Sequence, residues 1–424
     1  MRQYLEEARG MDRNDPLGVY RDQFTPLEAG MIYLDGNSLG RLTKTTIGHM
    51  ERLLREEWGD RLIRSWNESW YHKATELGDK IARIAGASPG EIIVADNTSI
   101  NLFKLAYGAL KWNKGRTGIV SDTLNFPSDI YILQGLVHQF GEDYHLDLAP
   151  SDDGITMSME TLNSFVTNQT ALVALSHVIF KSSFMYDMEK VTEIAHDNGA
   201  LMLWDISHSI GSVPIALNKL NVDLAVGCTY KYLNGGPGAP AFLYVRKDLQ
   251  ERLLSPIWGW FGQYMPFEFG LRYEPAEGIQ RFLSGTPPIL SMAAVEPAVS
   301  MLLDAGIELL REKSIQQSNF LIKLAEKYLF PNDFKLGSPS DFRQRGSHVS
   351  LKHTEAYRIC KALIDPDIGS GKIIPDFREP DNIRLGLTPL YTTFEDIYQA
   401  IEQMHTIVEK EYYKNYTTER SSIT

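Results

Sequence analysis

The sequence predicts an α/β protein: a large domain with a mostly parallel, seven-stranded-type sheet covered by helices, then a smaller α+β domain at the C-terminal end. Short apolar runs alternate with helix-length segments through the middle of the chain. Those runs are apolar at consecutive positions, as strands buried on both faces are. After Pro288 the texture changes to two long helical patterns and short strands. A chain of 424 residues is also too long for one simple core. The expected division is an N-terminal segment, 1–55, packing with the small domain, a large domain over 56–288 and a small domain over 289–424.

In order, strands are expected at 91–96 (EIIVAD), 118–121 (GIVS), 171–178 (ALVALSHV), 201–205 (LMLWD) and 224–227 (LAVG). Helices at 100–110, 130–140 and 188–198 lie between several of them, the pattern of strand–helix–strand units. A further strand at 241–245 (AFLYV) reads as an edge or antiparallel one. Helices are expected over 290–310 and 314–328, a strand at 348–351, a helix at 355–363, a strand at 383–387 and a last helix from 394 to about 411. Ile47, Met50, Leu54 and Trp58 recur at helical spacing, in a segment able to pack against either domain. The polar tail from 412 to 424 is expected to fray.

Composition excludes several classes. The net charge of −12, without a basic run, argues against nucleic acid or an anionic membrane as partner. Residues 1–15 hold no apolar core of signal-peptide length, and no stretch reaches about 18 consecutive apolar residues. Cys228 and Cys360 form neither a CxxC motif nor a disulfide framework, so they read as reduced, buried thiols. A cytoplasmic protein is expected. The ten histidines show no HxxxH or HExxH spacing, and no metal site is expected.

Lys231 follows an apolar strand and precedes the glycine-rich loop Asn234-Gly235-Gly236-Pro237-Gly238. Alone, a lysine is usually a solvated charge. Here the strand carries it to the sheet's C-terminal edge, where open α/β sheets bind ligands. Asp205 closes another buried strand; it reads either as a helix N-cap or as the acid that keeps a pyridine nitrogen protonated. His208, three residues on, lies against such a cofactor or is a core histidine. Asp96-Asn97-Thr98-Ser99, before a helix, suits a phosphate or is an ordinary cap. Phe126, in Asn125-Phe126-Pro127-Ser128-Asp129, offers a flat ring for stacking or belongs to the core. Lysine, acid, anion cradle and aromatic face at strand ends together form the arrangement of fold-type-I pyridoxal-phosphate (PLP) enzymes.

Seven segments then resemble the kynureninase family in order and spacing. They are Asn37-Ser38-Leu39-Gly40, Asn125-Phe126-Pro127-Ser128-Asp129, Asp205-Ile206-Ser207-His208, Tyr230-Lys231-Tyr232-Leu233-Asn234, Gly259-Trp260-Phe261-Gly262, Ser284-Gly285-Thr286-Pro287-Pro288 and residues 383–391 (IRLGLTPLY). The resemblance runs from about Tyr33 to beyond Tyr391, and its Gly-Trp-Phe-Gly and Ser-Gly-Thr-Pro segments are not general features of PLP enzymes.

The resemblance implies Lys231 as the Schiff-base lysine, Asp205 as partner of the pyridine nitrogen, and Phe126 stacked on the ring. Thr98, Ser99, Asp129, Ser176 and His208 would line the cofactor pocket, and Tyr230, Trp260 and Thr286 would reach the phosphate, across a subunit boundary in a homodimer. Tyr230 would also donate a proton. Arg384 would grip the substrate's α-carboxylate, a task that suits a planar guanidinium, with Ser38 and Phe261 beside the substrate. Phe261 and Trp66 read as apolar walls for an aryl ring or as core. The implied reaction is hydrolytic Cβ–Cγ cleavage of L-kynurenine to anthranilate and L-alanine. Gln263 stands where His is expected, and Thr286 where animal members carry Asn, which leans the chain away from 3-hydroxykynurenine. The rival readings are a fold-type-I aminotransferase, a cysteine desulfurase, which lacks its loop cysteine here, and a non-catalytic PLP-binding protein.

Overall fold

The computed structural model describes residues 2–365, 367–368 and 371–419. Helix α1 (Arg2–Arg13), the short α2 (Gly18–Arg21) and strand β1 (Ile32–Tyr33) precede α3 (Lys44–Arg52). The hydroxyl of Thr43 caps α3 by accepting from Thr46 N at 3.1 Å. A wider, π-type helix continues over Leu53–Arg61, and α4 spans Lys73–Ala85.

The central layer follows as β2 (Ile92–Val94), α5 (Thr98–Trp112), β3 (Gly118–Asp122), α6 (Pro127–Phe140), β4 (His145–Ala149), α7 (Met159–Phe165), β5 (Thr170–Ser176), α8 (Met188–Asp197), β6 (Leu201–Asp205), β7 (Leu224–Gly227) and β8 (Phe242–Val245). These strands form one seven-stranded sheet in the order β2-β8-β7-β6-β5-β3-β4. β3 to β7 pair in parallel, and β8 lies antiparallel to both its neighbours. The expected edge position of 241–245 is therefore wrong, while its antiparallel direction is right. β4 went unread because it closes the sheet: polar His145 and Asp147 face partly outward, and the strand lacks an apolar run.

The two helices expected over 290–310 and 314–328 are present, but the break between them falls at Gly306. α9 (Ile289–Ala305) stops at Gly306, whose φ of +80° suits glycine, and α10 (Ile307–Tyr328) restarts at once. α9 contributes Met292, Val295 and Val299 to the large core, whereas α10 from Phe320 onward belongs to a second core. That second core lies on the antiparallel sheet β12-β13-β10-β9, made of β9 (Lys335–Leu336), β10 (Val349–Lys352), β12 (Asp376–Arg378) and β13 (Asn382–Leu385). Helices α11 (Ala356–Ile364) and α12 (Phe394–Glu409) complete it, and β11 (Ile373–Ile374) pairs in parallel with β1.

Two expectations change. α3 packs on α9 through its buried Thr46, while Ile47, Leu54 and Trp58 are 41, 43 and 52 % exposed. The apolar stripe faces away from both cores. The tail, expected to fray from Tyr412, instead turns at Tyr412–Asn415, where Arg358 donates to the Tyr416 and Lys414 carbonyls at 2.9 and 2.8 Å; its last five residues, 420–424, lie outside the described residues. No single helix among the described residues is long and apolar enough to cross a membrane.

Candidate active site

A cavity of about 320 Å³ opens where β2, β3, β5, β6 and β7 end. Because these strands run the same way, the residues that follow each one meet along a single edge of the sheet. Thr98 and Ser99 come after β2, Phe126 and Asp129 after β3, Ser176 and Phe180 at and after β5, Asp205 and His208 at and after β6, and Tyr230 and Lys231 after β7; all line the cavity.

Lys231 Nζ lies 2.9 Å from His208 Nε2 and 5.9 Å from the centre of the Phe126 ring. Burial, reinforced by the neighbouring Lys231 charge, holds the His208 imidazole neutral, well below its ordinary range, and its buried Nδ1 has no protein partner. Asp205 accepts from Ser207 N at 2.7 Å. Asp129 is buried beside it; desolvation first, and the Asp205 charge second, hold the Asp129 carboxyl protonated well above the usual range. Asp205 thus adds to the burial that raises its neighbour's carboxyl.

Two helix N-termini converge on the opposite wall. Asn97 caps α5 by accepting from Ile100 N at 3.0 Å, which places Thr98 and Ser99 in the first turn. Ser128 stands in the first turn of α6, and its hydroxyl meets that of Ser99 at 3.0 Å. Both helices direct their positive ends and free N–H groups here, which suits a phosphate. The turn carrying Phe126 is braced from below: Ser176 Oγ donates to Asn125 Oδ1 at 2.7 Å, and the same oxygen accepts from Phe126 N at 2.8 Å. The ring of Phe180 meets Phe126 edge-on at 5.1 Å.

Burial pushes the Tyr230 hydroxyl up, so it stays protonated. Its carbonyl accepts from Gly40 N at 2.8 Å. A Cβ on Gly40 would lie 2.4 Å from the Lys231 carbonyl, so only glycine allows the Ser38–Gly40 loop to approach this closely.

Other expected site residues stand outside this cavity. Arg384, in the middle of the small sheet, is buried behind the cavity wall: its Nη1 donates to the Phe180 carbonyl at 2.7 Å and its Nη2 to Ser38 Oγ at 2.6 Å. Trp260 and Thr286 are on the surface, and Phe261 is buried against Trp66, ring centres 5.6 Å apart. Gln263 pins its own loop, accepting from Glu274 N at 2.7 Å. Sequence reasoning missed Phe180 and Ser207 in the wall. Ser207 stood inside a recognised segment, whereas Phe180 had no local signal. Both thiols are buried, Cys228 in the cavity wall, and burial pushes both up, away from the reactive thiolate of a desulfurase.

The family model and the sequence relatives agree on one family. The family described as "Kynureninase C-terminal domain" matches residues 310–404. The kynureninase of Burkholderia pseudomallei (strain K96243) is 42% identical over 413 residues, covering 96% of each chain. That of Pseudomonas fluorescens is 41% identical over 409 residues, covering 95% of each. Among solved structures, the apo cysteine desulfurase of Thermococcus onnurineus NA1 superposes with a TM-score of 0.80 at 20% identity, covering 93% of this chain and 98% of that one. A C-DES variant with glycine covalently linked to its PLP cofactor gives 0.78 at 20% identity, over 91% and 98%. At such identities these two proteins share the fold with this chain.

Proposed function

The chain belongs to the kynureninase family, and from that premise we propose that it hydrolyses the Cβ–Cγ bond of L-kynurenine, giving anthranilate and L-alanine, with PLP as its cofactor and tryptophan catabolism as its setting. The observation that carries the reading is the amine of Lys231 beside a neutral His208 in a cavity that also holds the Asp129–Asp205 pair and two helix N-termini. The residues fit PLP. The buried His208 Nδ1 and Asp129 Oδ2 lack protein partners, and such groups call for a ligand or water.

PLP supplies an electron sink that stabilises negative charge at the substrate's Cα. Thr98, Ser99 and the first turn of α5 would hold the phosphate, Phe126 would stack on the ring, and Asp205 would face the pyridine nitrogen. Asp129, Ser176 and His208 complete the pocket. Lys231 Nζ would hold the cofactor covalently and, when free, would take the proton at Cα. Tyr230, kept protonated by burial, donates a proton in the later steps. Arg384, with Ser38, holds the α-carboxylate. Phe261 bounds the aryl side. Thr286 lacks the amide that animal members carry there, so 3-hydroxykynurenine is the weaker substrate.

The same reading makes the protein a homodimer, with Trp260 and Thr286 of one protomer reaching the phosphate of its partner's site. What supports it is an exposed aromatic cluster beside Trp260: its ring lies 5.8 Å from that of Phe267, which lies 6.4 Å from that of Phe269, and such contiguous apolar surface marks an interaction site. The cytoplasm, where buried thiols stay reduced, completes the reading.

The test is the absorbance spectrum of the purified protein, followed by anthranilate fluorescence on adding L-kynurenine. A visible cofactor band with anthranilate release is expected. A band without anthranilate would send the chain to the aminotransferases. No band even after adding PLP would overturn the cofactor assignment.

A further inference from the structure

Arg384 lies almost wholly buried, and burial draws its guanidinium down from its ordinary range. A cation in such a place keeps its charge only if it is paired. The pairing comes from the neighbouring strand. In the register of β12 against β13, Asp376 stands directly opposite Arg384, with Ser350 of β10 opposite on the other side. Residues opposite one another point to the same face, and the Asp376 carboxylate forms an ion pair with Arg384 Nη2. Arg378 Nε meets the same carboxylate at 2.9 Å, and Asp35 approaches Nη2 at 4.0 Å.

These contacts engage both terminal nitrogens of the guanidinium. Nη2 is taken by Asp376 and Ser38, and Nη1 reaches the Phe180 carbonyl. The buried Nε has no hydrogen-bond partner. An arginine carries five N–H donors, and an unpartnered buried donor calls for a ligand or water.

We propose that Asp376 is a positioning residue: it fixes the rotation of the Arg384 guanidinium, so that its unpartnered Nε–H is left for the substrate's α-carboxylate. The inference rests on the reading of Arg384 as the carboxylate clamp. Asp376 does not line the cavity. Its removal therefore weakens substrate binding while leaving the chemistry at Lys231 intact.

The test is a double-mutant cycle on the PLP-loaded enzyme with D376N, R384K and the pair, reading KM and kcat for L-kynurenine, the visible cofactor band and Tm. D376N should raise KM by about tenfold or more while kcat stays within about threefold and the band is unchanged. The double variant should be little worse than R384K alone, since both act on one contact. D376E should recover part of the lost KM. A rise in KM for R384K but not for D376N would overturn the positioning role and leave the clamp standing. An unchanged KM in R384K would overturn both. A fall in kcat and cofactor content together, with KM unmoved, would make Asp376 a purely structural ion pair. If D376N does not fold, D376S is read in its place: a raised KM at retained kcat supports the role and an unchanged KM overturns it.

Discussion

Asp129 and Asp205 share the floor of the cavity, and Asp205 is one of the two causes that keep Asp129 protonated. The two carboxyl groups are chemically equal in the sequence and unequal in the fold. Asp129→Asn exchanges one neutral group for another of the same shape, so kcat should stay within about tenfold of the parent. Asp205→Asn removes the charge assigned to the pyridine nitrogen and should cost about 10²–10⁴-fold. Steady-state kinetics on both variants decide it; equal losses would show that Asp129 carries charge in the working enzyme.

Lys231→Ala should abolish both turnover and the covalent cofactor band, since no other lysine lines the cavity. Spectra before and after dialysis check this. Full activity in that variant would refute the assignment.

Gly40→Ala places a methyl 2.4 Å from the Lys231 carbonyl and 2.6 Å from Asn234 Cα, both on backbone that cannot swing aside. The loop must retreat, at a cost of about 1–3 kcal/mol, and the cofactor band per chain should fall. Gly48→Ala, inside α3 with open space around it, should instead stabilise the protein by about 0.5–1 kcal/mol. Thermal melts of the two variants should move in opposite directions.

Glu296 of α9 sits between Lys73 at 3.0 Å and Lys80 at 2.8 Å. Burial pushes its carboxyl up, but the hydrogen bonds and charges of both lysines outweigh this and bring it down to about 2. A folded-state value below the unfolded one adds stability above the unfolded value. That gain fades as pH falls from about 4.5 towards 2. Glu296→Gln should therefore cost on the order of 1–2 kcal/mol at pH 7 once solvent screening is discounted, with the gap to the parent closing as pH falls from about 5 towards 2. Denaturant titrations across that range measure it; a constant gap would mean that the ion pairs contribute nothing.

The central strands were legible because burial on both faces forces consecutive apolar residues, as in residues 170–176, all of them buried. β4 obeys no such constraint at its sheet edge and escaped notice. The cavity residues that end strands, Asp205 and Lys231 among them, were readable because a polar group closing an apolar run has few other places to go. Asp376 was not. Its link to Arg384 depends on the register of two strands joined by a short turn, and nothing local marks an acid as the partner of a particular arginine. Trp260 and Thr286 were readable only through resemblance, for their own chain leaves them on the surface.

The first turns of the chain close the last helix. Asp12 accepts from Phe394 N and Glu395 N at 2.8 and 3.0 Å, Arg9 pairs with Glu395, and Asp15 pairs with the buried Lys313. Asp12 is thus a cap supplied from 382 residues away, beside the capping box that Thr393 and Asp396 make locally. An affinity tag fused ahead of Arg2, or a protease nick near Asp15, would therefore be felt at the opposite end of the primary structure. Where such a tag is placed, and how gently it is cut away, bears directly on whether the arginine-bearing sheet under α12 keeps its shape.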